Sequence, residues 1–367
     1  MKMNVLSLVT LALGFIERAA AHPGMRRVLE DLSSIAKRQA SSVAATELIG
    51  DLATLPDSAL SPPGAAIKSI LLGSGTAEDL STTYTAPGQL GSSKCRNDTC
   101  CVWKYVADTM ASAFKDSSGQ CTELARQAIR MGFHDAGTWS KSEGGGGANG
   151  AIVLAGDWTR SENRGLEDIA VQMSVWYAQY HPYGAGMADL VQMGATVAAV
   201  TCPLGPRVRS FVGRPDSSAP DPEGRLPEVT DSAEELVALF ADKTISLGEL
   251  IALVGAHTVS RQRFVDPSKA GAPQDTSPGV WDVSFYNETI STPPPPGVFV
   301  FQSDLALARY PASEGFWSAF SNPANDQAAW AASYATAYVH LSVLGVEHIN
   351  NLTECTGVLP LRNTQAP

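Results

Sequence analysis

Six cysteines, none before Cys95 and the last at Cys355, constrain this chain of 367 residues more than any other feature. An even count at Cys95, Cys100, Cys101, Cys121, Cys202 and Cys355 suggests three disulfides, with the pairing left open. Disulfides belong to oxidising compartments, and the start of the chain agrees. Met1-Lys2 is basic, Val5 to Phe15 is mostly apolar, and Ala19-Ala20-Ala21 offers small residues for cleavage before His22. The apolar run is about half of the roughly 20 residues that span a bilayer, so residues 1–21 read as a signal peptide rather than an anchor. Lys37-Arg38 is a dibasic pair, which makes residues 22–38 a candidate propeptide; an exposed charged helix end is the competing reading. Residues 39–94, rich in Ala, Ser, Gly, Thr and Pro, form a low-complexity N-terminal extension, expected to be an extended or loosely docked arm. No later apolar stretch is long enough to cross a membrane. A secreted, extracellular protein is expected, and three Asn-x-Thr sequons at Asn97, Asn287 and Asn351 suit a glycosylated surface.

From Cys95 to about Pro360 the periodicity is helical and strand signals are few. Val102 to Phe114 and Thr122 to His134 read as helices, and Leu166 to Tyr177 keeps helical spacing until His181-Pro182. Ala188 to Val200 is small and apolar, as a buried helix would be. Ser246-Leu-Gly-Glu249 is a capping box that opens a helix towards His257. Trp330, Tyr334, Tyr338 and Leu341 mark a last amphipathic helix. A short strand is expected near Val298 to Phe301. The net charge of −11 argues against nucleic acid or an anionic membrane as partner and favours neutral or cationic small substrates.

The segment Arg130-Met-Gly-Phe-His134-Asp135 carries the chemistry. On a helix, Arg130, Phe133 and His134 share one face and look into one cavity, while Asp135 points elsewhere. A neutral imidazole beside a permanent guanidinium suits peroxide cleavage. The imidazole takes a proton from peroxide and returns it to the departing oxygen, and the guanidinium stabilises the charge developing there.

Taken with Gly144-Gly-Gly-Gly-Ala-Asn-Gly150, Asn163-Arg-Gly-Leu166, Phe211-Val-Gly-Arg-Pro-Asp216 and Gly255-Ala-His-Thr258, this motif resembles the fungal secretory haem peroxidases of the plant-type peroxidase superfamily. The resemblance covers nearly all of residues 95–360. It implies a mainly α, two-subdomain fold with haem b held between distal and proximal helices. It also implies an enzyme that reduces hydrogen peroxide to water while oxidising small phenolic or aromatic donors. Asn163 would accept a hydrogen bond from His134, although Asn163 also suits the N-cap of the helix starting near Gly165. Asp157 would support that asparagine with its carboxylate. His257 would be the axial iron ligand and Asp304 its partner; His181, His340 and His348 read as satisfied structural histidines. The implied disulfides are Cys95–Cys101, Cys100–Cys355 and Cys121–Cys202.

Two calcium sites are implied as well. The proximal set is Thr258, Asp275, Ser277, Val280 and Asp282, a mixture of hard oxygen ligands. Distally, Asp135, Gly147 and Asn149 stand at the family's positions, but Asn149 replaces an aspartate and Ala151 a serine, which weakens that site. The donor half departs further from the family. The three carboxylates of the manganese enzymes correspond to Glu123, Gln127 and Arg263, and the surface tryptophan of the lignin enzymes corresponds to Ala252. Gln274 replaces a proximal aromatic. Trp139, Trp158 and Trp281 are expected to be structural. A monomer is expected. The alternative to an enzyme is a low-turnover haem-binding extracellular sensor or interaction protein; a hydrolase would need a nucleophile motif that the sequence lacks.

Overall fold

Capping residues and apolar spacing set the helices that frame the site. In the computed structural model, which describes residues 47–321 and 326–365, Asp98 caps α2 (Thr99–Phe114) and Thr122 caps α3 (Glu123–Ala136), after α1 (Pro62–Leu71), capped by Ser61. On α2 the buried face is Val102, Trp103, Val106, Ala107, Met110 and Phe114, a helical stripe. Next come α4 (Glu167–Tyr180) and α5 (Met187–Thr201). Every residue of α5 is buried, so it is the axis of this half, with α2 and α3 packed along it.

Gly132 permits the close approach of α3 to that axis. A Cβ there would meet the Tyr338 hydroxyl at 2.3 Å and the Ala195 Cβ at 2.6 Å. The buried Gln192 of α5 donates to the Gly132 carbonyl at 3.0 Å and accepts from the Tyr338 hydroxyl at 3.0 Å.

The second half holds α6 (Ala233–Asp242), α7 (Leu247–Val254), α8 (Ser284–Ile290), α9 (Gln302–Arg309), α10 (Glu314–Ser321) and α11 (Asp326–Leu341). The expected capping box is present: Glu249 N donates to Ser246 Oγ, and the Ser246 N–H donates to Glu249 Oε2. After Val254 the helix tightens into a 3₁₀ turn, Gly255–Val259, which carries His257. Phe211–Val212 (β1) pairs antiparallel with Thr353–Glu354 (β2). Val298 to Phe301, expected as a strand, is irregular; the Phe299 N–H donates singly to the Pro273 carbonyl. All three disulfides pair as the resemblance implied.

The signal peptide and propeptide expected over residues 1–38, and the first part of the extension, lie outside the described residues. From residue 47 onwards the extension is not a loose arm. Leu52, Ile67, Ile70 and Leu71 are buried, and α1 packs on α11. Burying each such side chain contributes about 1.5–3 kcal/mol. Polar contacts fix the docking: Ser61 Oγ donates to the Asn350 carbonyl at 2.6 Å, and the Asn350 N–H donates to Asp51 at 3.1 Å. Arg207, wholly buried, donates to the Thr82, Thr356, Leu359 and Pro360 carbonyls and so joins the extension to the C-terminal tail.

Candidate active site

The helix α3 presents Arg130, Phe133 and His134 on one face, and all three keep some accessible surface although they lie deep in the molecule. They face a cleft, across which the imidazoles of His134 and His257 are close enough to influence each other's charge. Asp135 points away, as helical spacing requires, and is fully buried.

The tautomer of His134 follows from its neighbours. Asn163 Nδ2 donates to the Asp157 carbonyl at 2.9 Å, which turns Asn163 Oδ1 to His134 Nδ1 at 2.7 Å. Nδ1 therefore carries the proton and donates, leaving Nε2 with the lone pair. Burial and the neighbouring Arg130 hold the His134 pKa well below its usual value, with Asn163 opposing and His257 adding to the shift. The imidazole is neutral at ordinary pH. Arg130 Nε donates to that lone pair at 3.1 Å. The guanidinium is also anchored, with Nη1 donating to the Arg164 carbonyl at 2.6 Å and Nη2 to the Glu162 carbonyl at 3.3 Å. Burial brings the Arg130 pKa down to about 10, which leaves it charged.

Two expectations change here. Asn163 does not cap α4, whose N-cap is Leu166; its side chain is spent on His134 and Asp157. Asp157 supports Asn163 through its backbone carbonyl, because its carboxylate pairs with Arg160 at 2.7 Å and accepts from the Asp221 N–H at 2.9 Å.

Opposite, His257 Nδ1 lies 3.1 Å from both carboxylate oxygens of Asp304. Asp304 is 1% exposed and sits in the first turn of α9, where the helix N-terminus favours an anion. Phe285 and Phe301 pack edge-on against the imidazole, with centroids 5.8 and 5.6 Å away. Nε2 is left to face the cleft. The pair fits a metal-ligating histidine whose second nitrogen donates to a carboxylate. An imidazole backed by a buried carboxylate is a ligand pair that suits haem iron, and the residues present fit that group. Phe133, which stacks on Phe240 at 5.9 Å, supplies an apolar wall.

Among the described residues no three His, Cys, Asp or Glu side chains converge as a metal cluster. The proximal set instead mixes carboxylates with other oxygens. Thr258 Oγ1 donates to Asp275 Oδ2 and approaches the Val280 carbonyl at 3.5 Å, and Asp282 Oδ1 accepts from the Ser284 N–H. Among the described residues Ser277 Oγ is buried with no hydrogen-bond partner. Burial, with the charges of Asp282 and Glu288 adding, pushes the Asp275 pKa up to about 7. Two carboxylates with a carbonyl, a threonine hydroxyl and an orphaned serine hydroxyl suit a hard cation. Glu288, which sequence spacing did not bring in, accepts from Thr276 at 2.8 Å.

At the distal set the polar groups are turned to one another. Asp135 accepts from the Gly150 and Ile152 N–H groups. Asn149 Oδ1 accepts from the Ala151 N–H, and Nδ2 donates to Asp221 Oδ1 at 2.8 Å, while Asp221 Oδ2 accepts from Thr138. Thr138 Oγ1 in turn accepts from the Gly147 N–H.

The donor-side residues also have defined places. Gln127 is turned inward, with Nε2 on Asp168 and Oε1 accepting from the Ile169 N–H, and Glu123 pairs with Arg126 at 2.7 Å and Arg263 at 3.1 Å. Trp330 Nε1 donates to the Ala252 carbonyl. Trp281 is wholly buried, and Trp139 and Trp158 are half-buried. Gln274 is buried, accepting from Ser260 through Oε1. His340 is a satisfied core histidine, 2.7 Å from Glu249.

With this geometry in place, comparison with known proteins is consistent. The family model described as peroxidase matches residues 106–323. Manganese peroxidase 2 of Phlebia radiata is 31% identical over 71% of this chain and 72% of its own. Low-redox potential peroxidase of Taiwanofungus camphoratus is 30% identical over 71% of this chain and 78% of its own. A peroxidase of Arthromyces ramosus is 30% identical over 78% of this chain and 82% of its own.

Proposed function

Because the chain belongs to the peroxidase family and is a haem peroxidase, we propose that it uses hydrogen peroxide to oxidise small phenolic or aromatic donors at the haem edge, outside the cell. His257 would hold the haem iron, with Asp304 orienting it. Haem, when bound, supplies the redox chemistry of the reaction. His134 Nε2 takes a proton from the incoming peroxide, and the same imidazole delivers it to the departing oxygen. Arg130 stabilises the negative charge on that oxygen. Asn163 keeps His134 in the tautomer this requires, and Phe133 keeps the cleft apolar. The observation that carries the proposal is the geometry around His134, with Asn163 on Nδ1 and Arg130 at Nε2.

The donor follows from what stands at the specialised sites. Glu123 is neutralised by two arginines and Gln127 is spent on Asp168 and Ile169, which leaves no manganese site there. Calcium would bind the Thr258, Asp275, Ser277, Val280 and Asp282 set alone. The test gives haem-loaded protein peroxide with a phenolic dye in one sample and Mn²⁺ in another. Turnover of the dye without Mn²⁺ oxidation is expected. Mn²⁺ oxidation would overturn the donor assignment, and turnover of neither would favour a low-turnover haem-binding protein.

A further inference from the structure

An exposed aromatic on a loop beside the cleft stands among arginines, in a chain whose net charge is −11. Phe264 and Val265 are each 47% exposed. A Cβ on Gly165, whose φ is +87°, would lie 3.2 Å from the Phe264 ring and 3.4 Å from Arg130 Nη1, so Gly165 stands between the ring and the Arg130 guanidinium. The exposed Arg164 guanidinium lies over the same ring, 5.2 Å from its centroid. Arg263, directly before Phe264, is 49% exposed and pairs with Glu123 at 3.1 Å. Glu123 already pairs with Arg126 at 2.7 Å. Arg261 completes the group: besides burial, the charges of Arg126 and Arg263 lower its pKa, and Glu123 opposes them. The carboxylates set against these arginines are Glu123 and Glu167; Asp266, next along the loop, is turned to Ser268 and Lys269.

We propose that Arg164, Arg263 and Phe264 form a docking subsite for aromatic donors that bear a carboxylate. The reading rests on the haem-edge oxidation proposed above and names its substrate class. The donor's ring packs on Phe264 and Val265, and its carboxylate meets Arg263 or Arg164 at the rim. Local charge therefore reverses what the net charge suggests: the edge of the cleft attracts anions although the molecule repels them. Arg263, at a position where the manganese enzymes carry a carboxylate, inverts the preference of that edge from cation to organic anion. Arginine suits the role because its planar fork matches a carboxylate and its charge does not titrate.

Three phenols of matched size test the subsite: 3-(4-hydroxyphenyl)propionate, its amide, and tyramine, each with the haem-loaded protein at low ionic strength. The propionate is expected to have the lowest KM, about five-fold below the amide, as one exposed ion pair allows. Tyramine is expected to have the highest. Added salt is expected to shrink the difference. In Arg263→Glu and Arg164→Gln the propionate-to-amide ratio of kcat/KM is expected to fall about five-fold. Equal KM values for propionate and amide, or a preference that survives both substitutions, would overturn the subsite.

Saturation-transfer NMR with 3-(4-methoxyphenyl)propionate reads the subsite without turnover. Binding that weakens in Arg263→Glu supports the proposal even if no phenol is oxidised, an outcome that would count against the haem-edge reading alone. Binding equal to that of the corresponding amide overturns the subsite.

Discussion

At the residue scale the site turns on which nitrogen of His134 is free. The Asn163 side chain answers that, since its amide is fixed by the Asp157 carbonyl at one end and meets Nδ1 at the other. Asn163→Val removes the acceptor, and the reaction with peroxide is expected to slow about tenfold, the worth of one hydrogen bond. Stopped-flow mixing measures it. The pH dependence has a definite sign. A base must be unprotonated, and burial beside Arg130 lowers the His134 pKa. The rate is expected to hold as pH falls past 6.5, the ordinary histidine value, and to decline only as pH passes the lowered one. Asn163→Asp, which puts a negative charge on Nδ1–H, is expected to move that acid limb to higher pH. An unmoved limb would argue that another group controls it. The Arg130/His134 pairing was legible in the sequence because i and i+4 share a helix face. The contact between Arg130 Nε and His134 Nε2 was not, since spacing fixes a face but not a rotamer. Nor was the diversion of the Asp157 carboxylate to Arg160 and the Asp221 N–H, which depends on a loop far along the chain.

At the element scale, α3 is held at its working distance from α5 and α11 by the absence of a side chain at Gly132. Gly132→Ala places a methyl against the Tyr338 hydroxyl and Ala195. It is expected to cost about 1–3 kcal/mol by overpacking, seen as a lower thermal midpoint. Peroxide reactivity is expected to fall with it, because Arg130 and His134 ride on the same helix. The framing helices were legible where a cap met a long apolar stripe, as at Ser246 and across α2. The helix α1 was missed for a physical reason. Its buried apolar side chains, Ile67, Ile70 and Leu71, are too few to show a sustained period, and it is fixed by packing on α11 and by Asn350.

For the whole molecule, three disulfides and the docked extension close one unit, and the two halves differ in how they are tied. The proximal half carries an oxygen set that fits calcium. The distal half carries the Thr138–Asp221–Asn149 hydrogen bonds, with Asn149 where the family has a carboxylate. Metal analysis of the purified protein is expected to give about one calcium per chain, two ligand sets having been possible and one fitting. A chelator is expected to lower the thermal midpoint, and Asp275→Asn to remove that response. Two calcium ions per chain would show that the distal hydrogen bonds yield to a cation. The net charge of −11 is also a sum over the whole chain, within which Arg126, Arg261 and Arg263 gather around Glu123, and Arg164 stands near Arg130 and over Phe264.

In the proposed mechanism the imidazole of His134 moves the proton that peroxide cleavage requires. Stopped-flow mixing of haem-loaded protein with hydrogen peroxide, following the haem absorption band, tests it in wild type and in His134→Ala. The substitution is expected to slow the spectral change by about 10²–10⁴-fold while leaving the starting haem spectrum that of a loaded protein. An unchanged rate in His134→Ala would contradict the account.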